Sequence, residues 1–212
     1  MDSRCNEVIQ RAGHIDVLVN FAGVGLAGAL EMHSTEEARH ILDTNVLGTF
    51  RMCKTVLPGM RARKSGRIVN VSSIGGLVGV PYLSLYSASK FAVEGMTESL
   101  RMEVRRYGVH VSLLEPGDFL TEMTQSYAWT QQSSNDAVYS REARRAVEIM
   151  ERDCRGSTDL RLVALKLTSV LESGTPALRY TVGMLAQRLA VLAHRLMPDS
   201  WFEAIMLSTY KL

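Results

Sequence analysis

Residues 66–117 read GRIVNVSSIGGLVGVPYLSLYSASKFAVEGMTESLRMEVRRYGVHVSLLEPG, and this stretch decides the fold. RIVNVSS (67–73) follows Gly66 as an apolar run with no polar alternation, the pattern of a strand covered on both faces. Residues 84–106 then read as a helix, with Ala92, Met96, Leu100 and Val104 on nearby faces, and Gly108 stops it. VHVSLLEPG (109–117) is the next strand. Upstream, IDVLVN (15–20) is a strand followed by a small-residue turn at Ala22 and Gly23. S-T-E-E at 34–37 offers a capping box for a helix that continues, with a break, through Met60. Downstream, RYTVG (179–183) is a further short strand. Strands alternating with helices predict an α/β fold, an open doubly wound parallel sheet with helices on both faces and right-handed crossovers. Residues 1–212 are read as one domain. Within it, 122–158 interrupt the rhythm with the polar QQSSND and a charged helix near 138–153, and are read as a substrate-loop or lid insertion.

Composition narrows the function classes. The 212 residues are 46% apolar and 22% charged with a net charge of +2, which argues against a disordered chain and against a nucleic-acid partner. Cys5, Cys53 and Cys154 fit neither a disulfide framework nor a zinc site. His14, His33, His40, His110 and His194 lack metal spacing, so no metal is expected. The nearly apolar run 17–30 is too short to span a bilayer, and the polar opening MDSRCNEVIQR is no signal peptide. The expectation is a cytoplasmic protein with no membrane partner.

One motif invites a reading that its context does not support. Gly23-Val24-Gly25-Leu26-Ala27-Gly28 spells G-x-G-x-x-G after a strand, and Asp43 lies 20 residues beyond Gly23. That fingerprint works only if its glycines open a helix whose N-terminus holds a pyrophosphate, with the acid at the end of a second strand. Here the helix signal comes later, at Ser34, and Asp43 sits in the helical ARHILDTN. A flexible turn is the better reading.

The chemistry-bearing set is Ser73, Tyr86 and Lys90, with Asn45 upstream. Tyr86 and Lys90 are four apart, so a helix places both on one face. An ammonium beside a phenol favours the phenolate, which predicts a Tyr86 pKa below the usual value of about 10. Such a tyrosine exchanges a proton with an alcohol near neutral pH. Ser73 ends a strand at the carboxyl edge, where open α/β sheets bind ligands.

IDVLVNFAG, LDTNVLGTF, GRIVNVSSIGG, YSASK and LEPGDFLT occur in this order and together closely resemble the short-chain dehydrogenase/reductase family, densely over residues 13–121. The stretch SSIGGLVGVPYLSLYSASKFAVEG is most similar to its hydroxysteroid and retinol dehydrogenase branch. The resemblance implies a Rossmann-type sheet holding strands equivalent to the family's 4-5-6-7. It implies NAD or NADP as cofactor and hydride transfer between nicotinamide and a secondary alcohol or ketone, bulky, apolar and steroid- or retinoid-like. By the same resemblance Tyr86 and Lys90 carry acid/base catalysis, Ser73 orients the substrate, and Asn45 supports a water-linked proton relay. Asn20, Ala22 and Gly23 match the family's NNAG segment, with Phe21 in place of its second asparagine. Lys90 matches the ribose-binding lysine, and Pro116, Gly117 and Thr121 match PGxxxT beside the nicotinamide. A homodimer or homotetramer packed through helices near 35–60 and 84–106 is implied as well.

The family's glycine-rich TGxxxGxG turn and first strands have no counterpart before IDVLVN, where only 14 residues stand. The expectation is therefore a truncated domain with weak NAD(P) binding and IDVLVN as an exposed edge strand. The alternative function is a non-catalytic remnant that acts at most through dimerisation. In the carboxyl half, Tyr127, Trp129 and Tyr139 are candidates for lining an apolar pocket. Thr158 or Asp159 is read as capping a helix that turns Leu160, Val163, Leu167 and Val170 inward. Leu185, Leu189, Leu192 and Leu196 form a stripe beside Arg188 and Arg195, read as core or dimer packing.

Overall fold

The computed structural model describes residues 2–119, 128–130, 139–157 and 159–212. In chain order the regular elements are α1 (Asp2–Ala12), β1 (Val17–Asn20), β2 (Leu26–Ala27), α2 (Thr35–Leu42), α3 (Gly48–Arg63), β3 (Gly66–Val71) and α4 (Ser84–Val104). They continue with β4 (Val109–Pro116), β5 (Ala128–Trp129), α5 (Ser140–Arg155), α6 (Arg161–Glu172), β6 (Arg179–Val182), α7 (Leu185–Leu196) and α8 (Asp199–Tyr210). The main sheet is parallel throughout, in the order β1-β3-β4-β6. Val17 pairs with Arg67, Val71 with Leu114, and Pro116 with Val182, so the carboxyl ends of the strands share one edge. RYTVG is thus a true fourth strand, and among the described residues β1 lies at an outer edge.

Successive residues of a strand point to opposite faces, which explains the unbroken apolar runs. Ile68 and Val111 pack under α3 and α4 with Cys53, Val56, Met60 and Leu100. Val69, Val71 and Leu114 face the other way, under α6, with Val163 and Val170. Helices therefore cover both faces. Among the described residues no helix is long and apolar enough to cross a membrane.

Local signals act where their chemistry predicts. Ser34 Oγ accepts from the Glu37 amide at 3.1 Å, and the Ser34 amide donates to the Glu37 carboxylate at 2.8 Å, completing the capping box. The break before α3 is one π-helical turn, Asp43–Leu47, which buries Asn45. Gly108 takes φ +68°, a left-handed conformation that an L-residue adopts only with strain, and its Cα faces the Lys64 carbonyl closely. Asp159 accepts from the Arg161 amide at 2.9 Å at the head of α6, while Thr158 lies outside the described residues.

The inward faces differ from the periodicity reading in three places. On α4 the buried residues include Lys90, Val93, Glu94 and Thr97, and Ala92 is exposed. Polar residues hold that face because hydrogen-bonding groups of the sheet meet them. On α6, Val163 and Val170 are buried and Leu167 partly so, but Leu160 is exposed. The leucine stripe of α7 is exposed along its whole length, and Val191 is the helix's buried side chain. A further feature had no sequence signal. Leu26–Ala27 and Ala128–Trp129 form a two-stranded parallel sheet, which ties residues 128–130 to the turn after β1.

A polar ladder crosses the core between these layers. Asn20 Nδ2 donates to Asn70 Oδ1 at 2.8 Å, Asn70 Nδ2 donates to Thr97 Oγ1 at 2.9 Å, and Thr97 Oγ1 donates to the Val93 carbonyl at 2.6 Å. Asn70 is wholly buried, so removing it leaves the Asn20 amide with only the weak acceptor Cys53 Sγ at 3.4 Å. Replacing Asn70 with Leu should cost ~1–3 kcal/mol of stability. Urea unfolding of the two chains measures this, and equal midpoints and slopes would show that the ladder contributes nothing.

Candidate active site

The site forms where β1, β3 and β4 end. Ser73 follows β3 in extended conformation and heads a short 3₁₀ turn, Ile74–Gly76, its Oγ accepting from the Gly75 amide at 3.1 Å. Tyr86 lies in the first turn of α4, with its phenol near enough to Ser73 for the serine hydroxyl to oppose the rise of its pKa. Lys90 sits one turn later. Its Nζ donates to the Val71 carbonyl at 3.0 Å and lies 5.7 Å from the centre of the Tyr86 ring. The ammonium is therefore anchored to the end of the same strand that presents Ser73.

The turn after β1 closes the opposite side. Asn45 reaches out of its π turn and clasps Val24, accepting from its amide at 2.8 Å and donating to its carbonyl at 2.9 Å. The second amide hydrogen of Asn45 goes to Ser89 Oγ at 2.8 Å. π turns of this kind often mark functional positions because they rotate one side chain out of helical register. A Cβ on Gly23 would stand 3.4 Å from both Asn45 Oδ1 and Lys90 Nζ, and one on Gly25 would stand 3.2 Å from the Tyr86 ring. The two glycines thus leave a narrow cradle in front of Lys90 and Tyr86.

Of the sequence candidates, Ser73, Tyr86, Lys90, Asn45 and Gly23 converge here. Pro116 and Gly117 end β4 on the same edge, where the Gly117 amide donates to the Val182 carbonyl at 2.7 Å. The Ser73 hydroxyl lies 3.5 Å from the Pro116 carbonyl. Ala22 is exposed at the rim. Asn20 is turned away, toward Asn70 and Cys53, and there it braces β1 against β3. Thr121 and Tyr127 lie outside the described residues. Trp129 packs against the apolar cluster of Leu83, Val147 and Met150 that Tyr86 also borders. Tyr139 borders an open cleft of about 550 Å³ together with Tyr82 and Leu212. No helix opens at Gly28, and Asp43 lies in the π turn, paired with Arg51 at 2.6 Å, so the G-x-G-x-x-G run is no dinucleotide fingerprint; it is a loop whose Leu26–Ala27 form the short strand β2 rather than a turn throughout. Among the described residues no cluster of His, Cys, Asp or Glu is placed to hold a metal.

Two residues that the sequence did not single out complete the edge. Gln187 of α7 donates to Asp118 Oδ2 at 2.5 Å and accepts from the Asp118 amide at 3.3 Å, covering Gly117. Burial, with the charge of Asp153, pushes the Asp118 carboxyl up to about 6. Adjacency to Pro116-Gly117 was the available signal for Asp118. Gln187, 69 residues away, had none.

The electrostatics reverse one expectation. Burial raises the Tyr86 phenol above its ordinary pKa, and the Ser73 hydroxyl opposes this without cancelling it. Lys90 does not bring the phenol below its ordinary value, and its own Nζ is bonded to the Val71 carbonyl. Its pKa falls to about 8, with the Glu94 charge resisting the fall. Tyr86 therefore holds its proton in the ligand-free chain. Tyrosinate absorbance compared between the native chain and Tyr86→Phe should show no difference until the pH exceeds 10. A difference emerging near neutrality would show a phenol already activated.

Comparison with known proteins agrees with this arrangement. A family model described as short chain dehydrogenase matches residues 1–132. The chain belongs to the short-chain dehydrogenase family. A 3-ketodihydrosphingosine reductase of Bacteroides thetaiotaomicron is 38% identical over 197 residues, 93% of this chain and 73% of that protein. Human retinol dehydrogenase 8 is 47% identical over 120 residues, which are 57% of this short-chain dehydrogenase and 38% of the relative. Among solved structures, a short-chain dehydrogenase from Streptomyces avermitilis superposes with a TM-score of 0.79 at 30% identity, covering 99% of this chain and 74% of that one. ElxO with NADP bound matches at a TM-score of 0.56 and 30% identity, over 66% of this chain and 64% of its own.

Proposed function

We propose that this short-chain dehydrogenase is an NAD(P)-dependent oxidoreductase acting on a secondary alcohol or ketone. The observation that carries the reading is the Tyr86–Ser73 hydroxyl pair at the carboxyl edge, with the Lys90 ammonium anchored one turn behind it. Nicotinamide, when bound, supplies the hydride. Gly23 and Gly25 keep the backbone of the turn close against Lys90 and Tyr86, so the cofactor would meet main chain there rather than side chains. Lys90, a donor without acceptor capacity, suits ribose hydroxyls at that cradle. Pro116, Gly117 and the Ala22 rim would flank the nicotinamide, and Thr121 belongs to the same matched motif.

The protein's own chemistry is proton handling. Ser73 donates toward a substrate carbonyl oxygen, and Tyr86 gives its proton to the same oxygen as charge develops there. The high phenol pKa keeps that proton available in the reducing direction. In oxidation, the Lys90 charge so close to the ring stabilises the phenolate that must accept a proton. Asn45 holds the Val24 turn in place and so fixes the cradle against Lys90.

A bulky, apolar substrate is the reading of the surroundings. Tyr86 packs against an apolar cluster that includes Leu83, Val147 and Met150, and Trp129 packs against the same cluster; the relatives include a retinol dehydrogenase and a 3-ketodihydrosphingosine reductase. We read residues 122–158, which contain α5 of that cluster, as the substrate loop. Exposed Leu42, Leu47, Phe50 and Phe91 on α2, α3 and α4 and the turns between them support self-association through these helices. The second reading, a non-catalytic remnant, draws on β1 standing at an edge with Phe21 exposed beyond it.

The deciding measurement uses the 212-residue chain, NADH, NADPH and a panel of steroid, retinoid and long-chain ketones. Turnover with both Tyr86→Phe and Lys90→Ala reducing kcat/KM by about 10²–10⁴ is the expected result. A folded chain that quenches neither NADH nor NADPH fluorescence and turns over none of the ketones would leave the remnant reading standing.

A further inference from the structure

Behind Lys90, on the side away from the cradle, two carboxyl groups are buried against each other's field. Glu94 follows Lys90 by one turn of α4, and Glu115 is the penultimate residue of β4. Their side chains are 6% and 1% exposed. Arg179 of β6 reaches both through the same Nε, 3.1 Å from Glu94 Oε2 and 3.4 Å from Glu115 Oε1. A single N–H has one good acceptor, and the geometry gives it to Glu94. The Arg179 Nη2 goes to the half-exposed Glu98 at 3.0 Å. Thr181 Oγ1 donates to Glu115 Oε2 at 2.7 Å.

This leaves Glu94 Oε1 and Glu115 Oε1 buried with no donor in hydrogen-bond geometry, Ser72 standing near the Glu94 carboxyl and the Arg179 Nε 3.4 Å from Glu115. The groups facing the pair are Lys90 and Glu98 from α4, Ser72 from the end of β3, Thr181 and Arg179 from β6, and Arg195 from α7. Three carboxylates thus crowd one guanidinium, and two of them are out of water. Like charges sharing a dry site do not both ionise when a proton is available. A proton here removes one charge and supplies the donor that a stranded oxygen lacks.

We propose that Glu94 and Glu115 hold one proton between them, and that Glu94 is a positioning residue whose charge governs how readily Lys90 carries its ammonium. The importance of this for catalysis rests on the function proposed above, but the proton and the coupling do not. Burial and the Glu115 charge push Glu94 up to about 7, and Lys90 is brought down to about 8. Groups titrating so close together behave as a coupled set rather than as separate acids.

The test follows side-chain carboxyl and lysine signals by NMR through a pH titration of the full chain carrying labelled Glu and Lys. The expected result is one glutamate transition near neutrality, absent in Glu94→Gln and kept in Glu98→Gln. The Lys90 transition, assigned by its loss in Lys90→Arg, should fall by about one pH unit in Glu94→Gln and return in Glu94→Asp. Should Glu94→Gln fail to fold, Glu115→Gln serves, because removing the second charge should likewise move the neutral transition to lower pH. Every glutamate titrating in the ordinary carboxylate range, or a Lys90 transition indifferent to Glu94→Gln, would overturn the proposal. Because these signals need no turnover, an inactive chain would defeat the functional reading while leaving this one to be decided. In an active chain, Glu94→Gln should shift the pH profile of kcat downward by the same unit, a change that mere loosening of the helix would not produce.

Discussion

The bond from the Lys90 ammonium to the Val71 carbonyl holds the site in register. It takes a charge out of water and places it on the last carbonyl of a central strand. The backbone of Lys90 comes so near Gly76 that a Cβ there would stand 3.1 Å from it. With the helix pinned at that height, Tyr86 one turn earlier comes beside the Ser73 turn. A shift of a single turn would separate the two hydroxyls. Rigid elements fixing a pair of polar groups in this way are what a proton-transferring site requires.

The pin is one of several polar pegs along the same helix face. Thr97 receives Asn70, Ser89 receives Asn45, and Glu94 meets Arg179. Each peg joins α4 to a different partner: β3, the π turn, and β6. Apolar contacts with Val93, Leu100 and Val104 supply burial, but burial is non-directional and sets no register. Directional bonds in a dry interior do, since each leaves an unsatisfied group if the helix slides. The same interior that specifies the register also pushes the titratable groups from their ordinary values: Lys90 down, Glu94 and Tyr86 up. Structural pegging and functional tuning come from one physical cause.

Around this centre the chain adds an apolar shell. The small β2–β5 sheet and α5 bring Trp129, Val147 and Met150 into the apolar cluster that Tyr86 borders. Gln187 of α7 bonds both the amide and the carboxylate of Asp118 and covers Gly117. The carboxyl half therefore borders the site from above while its own leucine stripe faces outward.

Hydrophobic runs and turn chemistry are local properties, so they could be read directly. The three longer strands, the capped α2, the interrupted helix ahead of β3 and the stop at Gly108 all follow from neighbours within a few residues. Ser73, Tyr86, Lys90 and Asn45 were legible because their motifs occur in a fixed order along the chain. What tertiary structure alone decided were contacts between distant residues. Asn20 spends its amide on Asn70, 50 residues away, and Gln187 meets Asp118 across 69. Glu94, Glu115 and Arg179 form one cluster from three elements. The polar part of the buried face of α4 was not legible for the same reason: a glutamate and a threonine in a helix look solvent-facing until distant elements supply their partners. The sign of the Tyr86 shift depended on how much water the folded chain excludes, and pair spacing along a helix carries no information about that.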